Sequence, residues 1–397
     1  VDLLPGMNDC SQGTDAQRRP SHAASDPRYR PRRPVFFNPS QIMLSKGSFA
    51  DSQRRELVDA VCALYPHAKV SEHLDLPHNR IDLGARDPMT LHYRGKGTLV
   101  FGEHRSAVRV SQERGNTCPN YWHFSPYGFC PYDCSYCYLA ATPGVRFSPS
   151  VKIFLNLGEI LKDIDRVASR IGEPTAFYLG KLQDGLALDP LTGYSRTLIP
   201  FFAEHAYARQ TLLTKAIDVE NLLDLGHRGH TVLSWSLNPT EVCAEFEANT
   251  PPLSARIKAM QQCSEAGYPV RAVIMPIIPV PGWREVYTRF LHELLAQVRL
   301  ARITLGGICS YGGALSFTEA KLGVDNTVSL FLRKAGHRCP DGRNRYEPAQ
   351  RIGIYRHLTT AIRRLRSDLP IGLCLEEPAV FEELGLTKSA GRCNCVL

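Results

Sequence analysis

Three cysteines, Cys130, Cys134 and Cys137, stand in the run FCPYDCSYCYL over residues 129–139. Their C-x3-C-x2-C spacing gathers three soft thiolates into one short loop and leaves one corner of a four-iron cluster without a protein ligand. An iron with an open position can bind a substrate or a cofactor directly. A zinc site ordinarily takes four protein ligands, one C-x2-C pair followed by another, and no second such pair follows here. A disulfide framework suits a short secreted chain, and 397 residues without a recognisable signal peptide do not read that way. Zinc or inert thiols remain the alternatives to an iron–sulfur loop.

Such a loop needs a scaffold, and the chain beyond it alternates strand and helix patterns, the signature of parallel βαβ units. Strands are expected at 121–125, 175–179, 210–214, 231–237, 270–277 and 302–305, with helices at 158–170, 196–205, 219–225, 253–266 and 285–299. Six units make an incomplete (β/α) barrel, open on one side, whose active site lies at the C-terminal ends of the strands. Polar residues fall there. The second strand ends in YLGKLQDG with Lys181, Gln183 and Asp184, and the third in LLTKA with Lys215. The fourth ends in LSWSLNP with Ser234, Ser236 and Asn238, and the fifth in IMPIIPVPGW with Pro276 and Trp283.

Composition sets the frame. With 43% hydrophobic residues the chain can bury one large α/β core with extensions, or two smaller ones. Thirteen cysteines, an odd number, suit a reduced, cytoplasmic compartment with metal ligands. The longest apolar stretches, such as 272–280, are strand-length and broken by proline, too short to span a bilayer. The formal charge of +8 permits a polyanionic partner without requiring one. Part of it sits in residues 1–34, rich in Arg, Pro, Ser and Asp and without an apolar period, which read as a disordered basic leader. A small accessory α/β region follows over 35–117, with a helix at 52–65 and a strand at 97–101. The barrel is expected over 118–308, and a C-terminal extension with a cysteine-rich tail over 309–397.

The cysteine loop resembles that of the radical S-adenosylmethionine superfamily, in which the open iron chelates the amino and carboxylate groups of the cofactor's methionine moiety. One electron then breaks a C–S bond and releases a carbon radical. Tyr136, between the last two cysteines, matches the aromatic residue that covers the cluster and the adenine side there. The likeness narrows further. The run CSYCYL, the segment LLTKAIDVENLLDLGHRGHT over 212–231, Ser236 with Asn238, Phe246 with Glu247, AGYPV over 266–270 and PGW over 281–283 are similar to the spore photoproduct lyase family across roughly 125–304.

That resemblance implies a [4Fe–4S] cluster on Cys130, Cys134 and Cys137 and S-adenosylmethionine held by Asp184, Lys215 and Ser236, with Asn238 and Pro276 beside them. Lys215 and Ser236 suit the cofactor's carboxylate, and backbone carbonyls near Tyr138 and Gly180 its amino group. Residues 274–277 would wall the adenine. Tyr136 and Tyr138 match tyrosines beside the lyase's radical relay, and a flavodoxin- or ferredoxin-type reductant is implied as electron donor. One position departs. Where the lyases carry the cysteine that returns a hydrogen atom to the repaired thymine, this chain has Lys181, and an amine cannot donate hydrogen as a thiol does.

The ending LTKSAGRCNCVL supplies a second thiol motif. Cys393 and Cys395 cannot close a metal site by themselves. Folded over the open barrel face they would replace the missing thiol, bind a thiophilic substrate, or join Cys374 or Cys309 around a second cluster; otherwise they form a mobile reduced tail. A cysteine-rich ending also resembles that of the radical enzyme of arsinothricin synthesis, which releases an aminocarboxypropyl radical. Cys118 reads as a structural thiol, a fourth ligand or a redox partner. Cys10, Cys62, Cys243, Cys263 and Cys339 read as bystanders. Arg343, Arg345, Arg351 and Arg356, interleaved with Tyr346 and Tyr355, suit either phosphate contact with base stacking or a solvated face. The expected activity is thus that of a radical S-adenosylmethionine enzyme, a lyase or transferase on an unnamed substrate. Photoproduct repair in DNA, small-molecule radical transfer and a non-catalytic iron–sulfur sensor of nucleic acid are the alternatives.

Overall fold

The computed structural model describes residues 29–397 except 114, 143, 336, 339 and 340, so Cys10, Cys339 and leader residues 1–28 lie outside the described residues. The end of the expected leader is not disordered. Arg32 donates its backbone N–H to Pro190 at 2.6 Å and the Tyr29 hydroxyl donates to the same carbonyl at 2.8 Å, pinning residues 29–34 to the body.

The principal sheet has eight strands in unbroken chain order: β1 (Val108–Ser111), β2 (Tyr121–Phe124), β3 (Thr175–Leu179), β4 (Ala208–Thr214), β5 (Thr231–Ser236), β6 (Val270–Ile277), β7 (Arg302–Gly307) and β8 (Ile371–Leu373). Strands β2 to β8 are parallel and β1 closes the edge as an antiparallel hairpin arm. All six expected strands are present to within two residues, because strands covered on both faces read as near-continuous apolar runs; β5 is buried along its whole length. The expected extension supplies the seventh parallel strand. Helix Pro348–Leu365 packs on helix Trp283–Gln297 and is the crossover from β7 to β8.

Helix Leu157–Ile171 shows why the crossovers form. Leu157, Ile160, Leu161, Ile164, Val167 and Ala168 fall at helical spacing on one buried face, and Gly172 ends it in the left-handed region at φ +74°, its N–H bonding Ala168. The helix expected at 219–225 does not form. Leu222 N–H bonds Val219 and Leu225 N–H bonds Leu222, giving two tight turns with i→i−3 bonds in place of a helix.

The accessory region is stitched into the barrel. Its five-stranded sheet runs Lys69–His73, Gln41–Ser45, Thr98–Gly102, Val151–Phe154, Tyr127–Gly128, so its last two strands come from beyond residue 118, while β1, which precedes it, pairs with barrel strand β2. One apolar core joins Ile42, Val58 and Phe101 to Phe124, Leu233 and Leu373. The boundary expected at 117/118 therefore cuts through paired strands. No described helix is long and apolar enough to cross a membrane.

Candidate active site

The cysteine loop is held by four separate parts of the chain. Phe129 takes a left-handed φ of 60° at its start and bridges Gln183 after β3. Cys134 pairs in antiparallel register with Glu247, and Ser135 donates its N–H to Phe246 at 2.8 Å. From the accessory region Lys96 donates to the carbonyls of Cys130, at 2.7 Å, and Tyr132. From the far end of the chain Thr318 donates to the Ser135 carbonyl at 2.9 Å and Lys321 pairs with Asp133. These charge-assisted bonds fix a loop that would otherwise be free to open. The three cysteines share a cavity of about 270 Å³ at the barrel mouth. Burial pushes the Cys134 thiol up to about 12, with Lys215 acting against it, so a metal is what would hold these sulfurs as thiolates. Among the described residues no three His, Cys, Asp or Glu side chains close on a single metal ion. Three thiols at this spacing suit a multi-iron cluster with one open corner.

Lys215 and Ser236 face the same cavity from the ends of β4 and β5. Lys215 Nζ donates to Ser236 Oγ at 2.6 Å and lies 3.8 Å from Glu247. Arg256 pairs with the other oxygen of Glu247 at 2.7 Å, while Tyr136 and Asn238 donate to the first at 2.5 and 3.1 Å. Burial acts to raise the Glu247 pKa, but Lys215 and Arg256 overcome it and hold the carboxyl at about 2. Burial likewise disfavours charge on Lys215, but Glu247 together with Cys134 outweighs it, so its pKa is raised. Two cations share one buried carboxylate. One positive charge is left over, and of the two cations only Lys215 lines the cavity, a site made for a ligand carboxylate.

Asp184 lines the cavity, yet its oxygens are occupied. They accept from the backbone of Leu186, Ala187 and Lys215 at 3.0, 2.9 and 2.7 Å and from Thr214 Oγ1 at 2.6 Å. It ties the turn after β3 to the end of β4. Gly180 and Pro276 line the cavity as expected, with Met275. The ladder between β6 and β7 shifts register between Ile274 and Ile277, where Pro276 has no N–H to give, and Ile274 and Ile277 themselves turn into the core. Asn238 is a correction. It is fully buried behind the wall, bonded to Glu247 and to Tyr287, and positions the carboxylate without lining the cavity.

The remaining wall carries Lys181, which donates to Ser111 Oγ and pairs with Glu113 at 3.0 Å; Glu113 also binds Arg343 at 2.8 Å. Burial would raise the Glu113 pKa, and Arg343 and Lys181 lower it to about 2. Tyr138 donates to the Lys181 carbonyl. Cys118, Cys309, Cys374, Cys393 and Cys395 complete the lining. The tail does not swing freely. Thr211, midway along β4, and Arg271 and Arg302, near the starts of β6 and β7, hold the carbonyls of Cys395, Val396 and Cys393 at 3.5, 2.6 and 2.9 Å, so the cysteines enter the cavity from within the barrel.

The arginine–tyrosine stretch is not a base-stacking face. Tyr346 and Tyr355 are fully buried, Arg351 pairs with Glu376 and Glu377, and Arg345 pairs with Asp341. Sequence reasoning missed Arg256, Glu113 and Lys96 altogether. Glu247 was noticed only beside Phe246 in a resemblance, and its role as the hub of the network had no local signal.

The family model described as spore photoproduct lyase matches residues 37–305. The spore photoproduct lyase of Bacillus subtilis (strain 168) is 30% identical over 224 residues, covering 56% of this chain and 64% of that protein, and the one from Geobacillus sp. (strain Y412MC61) is 29% identical over the same shares. The matched part of the chain thus spans less than two thirds of these curated relatives. A solved structure of spore photoproduct lyase complexed with dinucleoside spore photoproduct superposes with a TM-score of 0.74 at 22% identity, over 86% of this chain and all of that one. A variant of that enzyme with bound AdoMet and the dinucleoside gives 0.73 at 22% identity, over 85% and 99%. Its motifs, its strand order and the extent of the match place the chain in the spore photoproduct lyase family of the radical S-adenosylmethionine superfamily.

Proposed function

We propose that this protein is a radical S-adenosylmethionine enzyme in which Cys130, Cys134 and Cys137 hold a [4Fe–4S] cluster and one cavity wall binds the cofactor. When bound, the pair supplies reductive cleavage of a C–S bond and a carbon radical. The observation that carries this reading is the opposition, in one cavity, of three cluster-type thiols and the spare charge of Lys215 beside Ser236. Lys215 Nζ and Ser236 Oγ take the cofactor's carboxylate, and the carbonyls near Tyr138 and Gly180 face its amino group. Met275 and Pro276 give the apolar surface for adenine. Glu247, clamped by Arg256, Tyr136 and Asn238, keeps Lys215 charged without itself lining the cavity. The surrounding barrel keeps water and oxygen from the radical. The electron comes from a flavodoxin- or ferredoxin-type donor in the cytoplasm.

The reduced protein, incubated anaerobically with S-adenosylmethionine, is expected to form methionine and 5′-deoxyadenosine. Methylthioadenosine in their place would assign an aminocarboxypropyl radical. No cleavage by protein carrying its full iron would leave a sensor and refute the proposal.

The substrate is a separate matter. Lys181, locked to Glu113 and Ser111, stands where the lyases use a hydrogen-donating thiol, so cofactor cleavage without thymine release is expected on DNA containing spore photoproduct. Repair of that DNA is the second reading, favoured by the thiols of Cys393 and Cys395 in the same cavity. Stoichiometric restoration of thymine would establish it.

A further inference from the structure

Four cysteines from three separate stretches of chain meet on the cavity wall beside β8: Cys118 ahead of β2, Cys374 directly after β8, and Cys393 and Cys395 in the tail. All four line the one cavity, close enough to act on one another electrostatically, with Cys393 beside Cys118 and Cys395. All four are free thiols. They are distinct from the Cys130–Cys137 loop, with Tyr138 near both Cys137 and Cys395.

Each of the four sits on backbone anchored on its own account. Thr117 donates its N–H to Glu376 at 2.9 Å, Cys374 N–H continues the β8 ladder to Leu305 at 2.8 Å, and Arg302 holds the Cys393 carbonyl at 2.9 Å. The tail packs so closely on β8 that a Cβ on Gly372 would lie 2.2 Å from the Arg392 carbonyl oxygen. Between the tail cysteines stands Asn394, which is 3% exposed, lines the cavity, and has neither side-chain polar atom bonded among the described residues. An amide buried without partners costs about 1–3 kcal/mol per unmet group, and it is aimed at the space the thiols surround. Packing alone explains neither the convergence nor the amide. Three of the four cysteines lie beyond residue 305, where the family match ends.

We propose that Cys118, Cys374, Cys393 and Cys395 ligate a second metal centre, an iron–sulfur cluster with four protein thiolates. A ligand set of sulfur alone selects zinc or iron–sulfur. Among the described residues, no three of these thiols close on a single ion as they stand. Four thiolates leave no iron open, so this centre binds no substrate and serves as an electron relay or as a latch that holds the tail in the barrel. Asn394 N–H groups donate to its sulfurs. The inference stands apart from the function proposed for the 130–137 loop.

Iron, acid-labile sulfide and zinc are counted per chain on the full-length protein after anaerobic reconstitution, with Mössbauer spectra of each sample. The wild type is expected to hold about eight irons, and C130A/C134A/C137A and C393S/C395S about four each, the content of one cluster. C118S/C374S, altered away from the tail, should match C393S/C395S, with circular dichroism reporting the fold. About four irons in the wild type with none in the C130A/C134A/C137A protein overturns the inference, as does one zinc retained in that protein, or an undiminished iron count in C393S/C395S. An undiminished count in C130A/C134A/C137A would instead refute the loop's role and leave this centre standing.

Discussion

Replacing Lys215 by methionine removes the charge left over from the Lys215–Glu247–Arg256 group while keeping the length of the side chain. Glu247 then still has Arg256 at 2.7 Å, Tyr136 at 2.5 Å and Asn238 at 3.1 Å. The fold loses one hydrogen bond, Lys215 to Ser236, worth about 1 kcal/mol. A ligand carboxylate loses a charge-assisted bond worth about 1.5–3 kcal/mol, which weakens binding about 10- to 150-fold. Arg256→Met has the opposite signature. It takes the nearer cation from a carboxylate whose side chain is wholly buried, leaving Lys215 at 3.8 Å, and breaking such a pair costs about 3–5 kcal/mol. At about 1.2 °C per kcal/mol for a chain of this length the melting temperature falls by roughly 4–6 °C. Calorimetric titration of S-adenosylmethionine into anaerobically reconstituted protein, beside thermal melts of the three proteins, separates the two effects. Unchanged affinity in Lys215→Met, or a melting loss equal to that of Arg256→Met, refutes the division of labour between the cations.

The depressed pKa of Glu247 makes its contribution to stability complete above the ordinary carboxyl range and lost as pH falls from about 4.5 towards 2; in Glu247→Gln that part of the acid dependence disappears from thermal melts taken down the pH scale. Lys96→Met frees the carbonyls of Cys130 and Tyr132, and is expected to reduce iron retained on reconstitution at least about twofold, from the loss of two charged bonds, with an unchanged circular dichroism spectrum. Gly372→Ala sets a Cβ against the Arg392 carbonyl, an overpacking cost of about 1–3 kcal/mol. It should speed amide exchange over 391–396, and unaltered exchange there would show that the tail is held elsewhere.

What was legible in the sequence was what is local. The thiol loop is encoded within eight residues, and the long strands announce themselves because both faces of a parallel sheet must be apolar. Strand β8 escaped because three residues, Ile371–Leu373, carry no periodicity, and 219–225 misled because Val219, Leu222 and Leu223 imitate a helical face in a segment that closes only successive tight turns. Lys215 and Ser236 were found because strand ends point into barrel mouths. Arg256 was not, since on its helix it reads as an ordinary polar position, and only the fold brings it to Glu247. The tail cysteines were conspicuous by type. Their place within the barrel depends on Arg271 and Arg302, which stand near the starts of their strands and give no hint of a partner more than ninety residues away.

The clamp on the cysteine loop has a consequence for biosynthesis. Lys321 and Thr318, which fix Asp133 and Ser135, follow them by 188 and 183 residues. At translation rates of about 5–20 residues per second, the loop waits roughly 10–40 s on the ribosome before its last anchors exist. Through that interval three thiols are exposed on an unfinished barrel, open to oxidation and to the wrong metal. A loop clamped only after residue 321 exists is expected to keep iron only then, and truncations ahead of residue 321 are expected to yield protein that cannot be loaded, however intact their cysteine motif.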